Sequence, residues 1–362
     1  MLLRKVVALA LAVVLCLCMG LPGTATQNVA VEDIAVQLLN DALSKPNYFD
    51  LPELEGRSIY ICDAINPYAI MEGELIRCSD IEYYLVRTDS EYIACITLCY
   101  GEGELLSACL NIDLANAIEA NGDINEAIQI VAQNGGLYVR TENAEETENQ
   151  AQQMHGRRVD ADDELLWDLE IPTVKVQLDG IVTNPIIPRS SRILNVPYVP
   201  QVEGTCWAAA GAAFGQYYTG NTYAHYTADY LAEQMGIGLN EGAFLDTTLE
   251  MVERFYGVRT EYHQRALSNS EAINLFQQAK PILAYFNGRD ITSATYAGAA
   301  HMVVLCGYDD HNTGENITYY VRDSNTPSLM TVVAYSNEGL FMDYYYPYVM
   351  IWQESAYYVY SP

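Results

Sequence analysis

Cys206 stands in the stretch Val199-Pro200-Gln201-Val202-Glu203-Gly204-Thr205-Cys206-Trp207-Ala208-Ala209-Ala210, between a Gly-Thr turn and a run of small helix formers. From Thr205 to Tyr218 only Gly211 and Gly215 weaken the helical pattern. Cys206 therefore falls in the first turn of a helix of about three to four turns. Unpaired backbone N–H groups and the positive end of the helix dipole favour a thiolate there. Gln201, just upstream, can turn a side-chain amide N–H toward the same spot. A cysteine is by default a small core residue. What sets this one apart is its surroundings, together with a histidine and a carboxylate downstream.

The second half of the chain carries His225, His263, His301 and His311. His301 opens the apolar run Met302-Val303-Val304-Leu305-Cys306-Gly307, the mark of a buried strand. A strand holds a histidine rigidly, as a general base must be held. His225 and His263 lie beside tyrosines in polar stretches, and His311 follows Asp309-Asp310 in a turn. The next strand, 317–322, runs into Asp323 and returns it to the His301 end of an antiparallel sheet. A carboxylate there accepts the imidazole N–H and sets its tautomer. Asp323-Ser324-Asn325 also reads as an ordinary turn, and Asn325 is a second candidate for the orienting group. The chemistry of this set is nucleophilic attack by a thiolate, with His301 as base and Gln201 as oxyanion donor.

These motifs carry a resemblance. Residues 196–325 resemble a papain-like cysteine peptidase. Gly204-Thr205-Cys206-Trp207 is similar to that superfamily's nucleophile signature, with Thr for the usual Ser or Ala. Gln201 matches its oxyanion-hole Gln, His301 through Asp309 its histidine strand, and Val321-Arg322-Asp323-Ser324 its orienting segment. The order Cys, His, Asp agrees. Glu203 stands where a cysteine is usual, Gln201 is one residue closer than in papain, and the tryptophan after the orienting segment is absent. His301 follows Cys206 by 95 residues, a compact spacing similar to bacteriocin-leader peptidases and secreted effector proteases. The resemblance implies an endopeptidase with catalytic Cys206, His301, Asp323 and Gln201. It also implies an acyl-enzyme, a protein or peptide substrate, and no metal or cofactor. Two rival readings keep the same residues: a Cys-His cell-wall amidase or acyl transferase, and a catalytically inactive extracellular binding protein.

The elements that must position these residues follow from periodicity. Helices are expected at 227–235, 244–256 and 269–278. Strands are expected at 282–286, 299–307, 319–322, 330–335 and 345–352, with a tyrosine-rich end at 357–360. Helices come first and antiparallel strands later, so residues 193–362 read as α+β, with the helices packed on the sheet. Residues 26–141 read as a smaller α+β domain: a helix at 29–44, then strands at 58–64, 83–87, 92–98 and 105–110. Helices at 114–120 and 124–132 follow, then a turn at Asn134-Gly135-Gly136 and a strand at 137–140. This domain contains no histidine and no catalytic grouping. Since papain-like peptidases are often made as proenzymes, the resemblance implies a prodomain; a permanent accessory domain is the alternative.

Residues 1–25 read as a secretory signal peptide: basic Arg4-Lys5, an apolar run from Val6 to Met19, and a small-residue exit before Thr26. The run is short for a membrane span. Leu15 and Leu17 precede its cysteines, where a lipobox has small residues. The expected location is therefore extracellular. Residues 142–192 read as an acidic linker, held extended by Pro172, Pro185 and Pro188, with 165–167 and 174–178 apolar enough to dock on the second domain. A net charge of −29 spread over both halves argues against nucleic acid or an anionic membrane as partner. The cysteines after residue 25 are an odd, irregular set with no C-x-x-C pair, which excludes a disulfide scaffold and a zinc knuckle.

Overall fold

Apolar residues Ile34, Ala35, Leu38, Leu39 and Ala42 recur at helical spacing and are all buried, which makes α1 (Val31–Leu43) amphipathic. The computed structural model describes residues 30–49, 51–71, 74–101, 104–121, 127–133, 136–141, 172–181, 191–220, 225–290, 296–310, 317–334, 341–345 and 348–359. The expected signal segment 1–25, His311 and most of the expected linker, Leu165-Leu166-Trp167 included, lie outside these residues.

After α1 come β1 (Tyr60–Cys62), β2 (Tyr68–Met71), β3 (Glu74–Arg77), β4 (Ile81–Arg87), β5 (Tyr92–Gly101) and β6 (Glu104–Asn111). Then follow α2 (Ile112–Asn121), β7 (Ile128–Gln133), β8 (Gly136–Thr141), β9 (Val174–Gln177) and β10 (Ser191–Ile193). The second half opens with α3 (Cys206–Thr219), α4 (Ala228–Met235), α5 (Leu245–Tyr256), β11 (Thr260–His263) and α6 (Asn269–Gln277). It closes with β12 (Ile282–Asp290), β13 (Tyr296–Asp309), β14 (Thr318–Arg322), β15 (Met330–Ala334), β16 (Phe341–Tyr345) and β17 (Tyr348–Tyr358).

The architecture is α+β: helices of the second half followed by an antiparallel sheet, preceded by a further α+β region. The sheet extends beyond the second half. Among the described residues it has 13 strands in the order β11-β17-β12-β13-β14-β15-β6-β5-β4-β1-β9, with β10 on β13 and β16 on β17. The junction between the halves is an ordinary antiparallel ladder, Thr331 opposite Leu110 through Ala334 opposite Ser107. Leu38 and Leu39 of α1 share one buried cluster with Trp207, Val303 and Val321. Just past α1, Lys45 Nζ reaches Asp309 Oδ2 at 3.1 Å and sits 5.0 Å above the Tyr320 ring. A second sheet, β3-β2-β7-β8, belongs to the first half.

Two expectations are corrected. The segment 124–132, expected as a helix, holds strand β7, which pairs with β8 from Ile128 opposite Thr141 to Gln133 opposite Gly136. Ile128 and Ile130 are β-branched and buried, and the Gly-Gly that follows favours reversal into a partner strand over helix continuation. The apolar segment 174–178 docks on the first half, not the second: β9 pairs with β1, Tyr60 opposite Gln177.

Candidate active site

The turn before α3 is tied down by backbone and side chain together. The Thr205 hydroxyl accepts from the Val202 N–H at 2.9 Å and donates to the Val202 carbonyl at 2.7 Å. Glu203 is held at φ 50, a conformation that costs a non-glycine residue energy and that this closed turn imposes. Gly204 donates to the Leu239 carbonyl at 2.8 Å, and a Cβ there would lie only 3.1 Å from that oxygen. A side chain here would need that backbone to give by a few tenths of an ångström. The result places Cys206 as the first residue of α3, buried but for 9% of its surface.

The helix is rich in alanine and glycine because its neighbours come close. A Cβ at Gly215 would meet the Tyr256 ring of α5 at 2.3 Å. Its residues Cys206 to Gln216 are all buried. Burial on this scale makes α3 a rigid post for the thiol.

His301 lies on β13 opposite Phe286 of β12 and is 1% exposed. Its Nε2 is 2.8 Å from Asp323 Oδ2, and Asp323 is fully buried. The Nε2–H donates to the carboxylate, which assigns the tautomer and directs Nδ1 away from Asp323. The other carboxylate oxygen, Oδ1, accepts the Asn325 backbone N–H at 2.7 Å. Of the two orienting candidates, then, Asp323 contacts the imidazole through its side chain, and Asn325 acts on Asp323 through its backbone.

Gln201 joins these segments. Its Oε1 accepts from the Ser324 hydroxyl at 2.7 Å and its Nε2 donates to the Glu203 carbonyl at 2.9 Å. The Gln201 backbone N–H reaches the Ser324 carbonyl at 3.3 Å, and the Tyr198 hydroxyl donates to the same oxygen at 3.2 Å. The loop carrying Asp323 and the loop leading to Cys206 are therefore bonded to each other. Tyr285, itself buried, lies within electrostatic reach of Cys206; burial first, then Glu354 and Cys206, push its hydroxyl upward. Phe244, 69% exposed, stands 6.2 Å from the Tyr285 ring.

The remaining candidates separate cleanly. His225 is exposed beside Tyr226, and His263 sits on edge strand β11 against Tyr357. Cys306 is buried in β13, donates to the Tyr320 carbonyl at 3.3 Å, and is pushed up to about 12 by burial. All seven described cysteines are buried and form no disulfide among the described residues. No group of three or more metal-ligating side chains converges among the described residues, and no helix there is long and apolar enough to cross a membrane. The sequence did not single out Tyr198 or the Ser324 hydroxyl's bond to Gln201, which carry no catalytic signature; only the fold brings them to Asp323 and Gln201.

Residues 193–350 match the Peptidase_C39 like family. This match, over less than half of the chain, supports the likeness of that part to papain-like cysteine peptidases. A solved structure from Bacillus anthracis, itself assigned only provisionally as a C39-like peptidase, is similar at 16% identity. That similarity covers 47% of this chain and 98% of that one, with a TM-score of 0.32. No curated protein sequence matches the chain. The matched region includes α3, β13 and the Asp323 loop, while residues before 193 fall outside the family match.

Proposed function

We propose that the protein is a secreted cysteine endopeptidase that hydrolyses peptide bonds through Cys206, His301 and Asp323, with Gln201 completing the oxyanion hole. The observation that carries this reading is the buried contact of 2.8 Å between His301 Nε2 and Asp323 Oδ2, in a loop bonded to the Gln201–Cys206 segment. The family match over the same residues supports it.

In the proposed cycle the Cys206 thiolate attacks the scissile carbonyl carbon. The oxygen that becomes negative is held by the Cys206 backbone N–H and a Gln201 Nε2 N–H. The imidazolium Nδ1 of His301 gives its proton to the leaving amine, and the C–N bond breaks. Water, deprotonated by the same nitrogen, then attacks the thioester and releases the acid and the thiol. Asp323 stays ionised throughout and stabilises the imidazolium. Residues 1–25 act in this reading as the export signal, by their basic start and apolar run.

The test is a thiol-directed activity probe on the full chain, beside cleavage of casein and of peptidoglycan. Labelling at Cys206 and casein cleavage, both lost in Cys206→Ala, are expected. Peptidoglycan cleavage without casein cleavage would make it a cell-wall amidase, and no labelling would make it a binding protein.

A further inference from the structure

We infer that Asp113, in the first half of the chain, is a positioning residue for the catalytic site: it holds the 323–329 loop through Ser328 and so keeps Asp323 against His301. This rests on the function proposed above.

The loop is braced from both of its ends. On the inner side the Tyr198 hydroxyl and the Gln201 N–H donate to the Ser324 carbonyl, and Arg322 donates to the Pro327 carbonyl at 2.8 Å. On the outer side the brace comes from the other half. Asp113 Oδ2 accepts the Ser328 backbone N–H at 3.1 Å, and Oδ1 accepts the Ser328 hydroxyl at 2.8 Å. These residues are 215 positions apart. Bonds to an ionised carboxylate are stronger than neutral ones, and two of them fix direction as well as distance.

Asp113 is itself well anchored. It lies in the first turn of α2, whose start is capped by Asn111 Oδ1 accepting the Leu114 N–H at 2.9 Å. The preceding strand β6 is the one that pairs with β15, and β15 begins where the loop ends. Sheet, helix start and loop therefore form one rigid frame around Asp323. A first-turn aspartate is favoured by the helix dipole alone and is then ordinarily solvated; this one uses both oxygens on a distant loop. Tyr198 links the two carboxylates: after burial, Asp323 and then Asp113 push its hydroxyl upward, so both lie within electrostatic reach of one phenol.

The experiment compares full-length wild type, Asp113→Ala, Asp113→Asn and Ser328→Ala. It measures thermal melting, kcat and KM on a casein-derived peptide, and the rate of Cys206 alkylation by iodoacetamide at pH 6. Asp113→Ala should lower kcat by about tenfold or more with KM nearly unchanged, because a displaced orienting group slows chemistry without touching substrate. Asp113→Asn should recover most of kcat, since an amide still accepts the Ser328 N–H and offers Nδ2 to its hydroxyl. Ser328→Ala should fall between. Wild-type kcat in a folded Asp113→Ala, or a change confined to KM, would overturn the inference, as would no recovery in Asp113→Asn. If Asp113→Ala does not fold, Ser328→Ala decides, and an unchanged kcat there overturns it. Should wild type cleave no peptide, the proposed function fails separately. Alkylation of Cys206 then reads the frame: slower in Asp113→Ala supports the inference, equal rates overturn it.

Discussion

Replacing Gln201 with alanine removes the proposed oxyanion donor, the bond to Ser324 and the bond to the Glu203 carbonyl, and the structure lets the first two be separated. One is the oxyanion donor, for which loss of a single N–H costs about 3 kcal/mol in the acylation barrier. The other is the bond from the Ser324 hydroxyl to Gln201 Oε1, 2.7 Å long and buried, for which a net of about 1 kcal/mol is typical. Gln201→Ala should therefore slow acylation by about 4 kcal/mol, roughly a thousandfold. Ser324→Ala loses only the brace and should cost about fivefold. Gln201→Glu keeps an acceptor for Ser324, loses the donor, and sets a carboxylate against the Glu203 carbonyl and the forming oxyanion. It should be no better than Gln201→Ala. The assay is the pre-steady-state acylation rate on an activated ester and a peptide, with melting temperature as control. If Ser324→Ala is as slow as Gln201→Ala, or Gln201→Glu approaches wild type, Gln201 is a brace and not an oxyanion donor.

Three further outcomes are expected. Iodoacetamide at pH 6 should modify Cys206 ahead of Cys306, whose thiol burial pushes up to about 12 and so leaves it almost wholly protonated; peptide mapping showing Cys306 first would contradict the assignment. Asp323→Asn should be mild, because an amide oxygen still accepts the imidazole N–H. Asp323→Leu should cost kcat about a hundredfold or more by stranding that N–H in a buried site; loss of activity in Asn325→Leu but not in Asp323→Leu would move the role to Asn325. Lys45→Met should lower stability by about 3–5 kcal/mol, since fully buried Asp309 loses its cation. Calorimetry should show that deficit, with both halves melting together.

The candidate site in the second half was legible because its signals are local. A Gly-Thr-Cys turn ahead of alanines, a histidine at the head of an apolar strand and an Asp-Ser-Asn turn after the next strand each report on a few residues. The antiparallel order then predicts their meeting, and His301 and Asp323 do meet. What was not legible depends on long-range pairing. Nothing in 104–111 or 330–334 says that these strands will pair, because any half-buried strand with an open edge offers the same N–H and C=O groups. Asp113 and Ser328 look like a helix-start acid and a loop serine until the fold joins them. The segment 124–132 misled because Ala and Glu near its start favour helix, while Ile128, Ile130 and the Gly-Gly beyond favour a hairpin. Pairing with β2 and β8 decided it.

The shared sheet bears on whether the first half is a removable propiece. Excision of 30–141 would uncover the β15 edge from Thr331 to Ala334, take Lys45 from Asp309 and take Asp113 from Ser328. The chain is also interlocked across the linker. β9, within its later part, is zipped onto β1 of the first half, while β6 of the first half is zipped onto β15 of the second. A cut between 142 and 171 thus leaves two ladders spanning the break, and the product is a nicked two-chain molecule. Release would require both ladders and the common apolar core around Leu38, Leu39 and Trp207 to open together. A propiece that lies over a cleft can leave without unfolding the enzyme beneath it; a half that supplies neighbouring strands and the outer brace of Asp323 cannot. On the function proposed above, these contacts favour the accessory role over the inhibitory one for the first half.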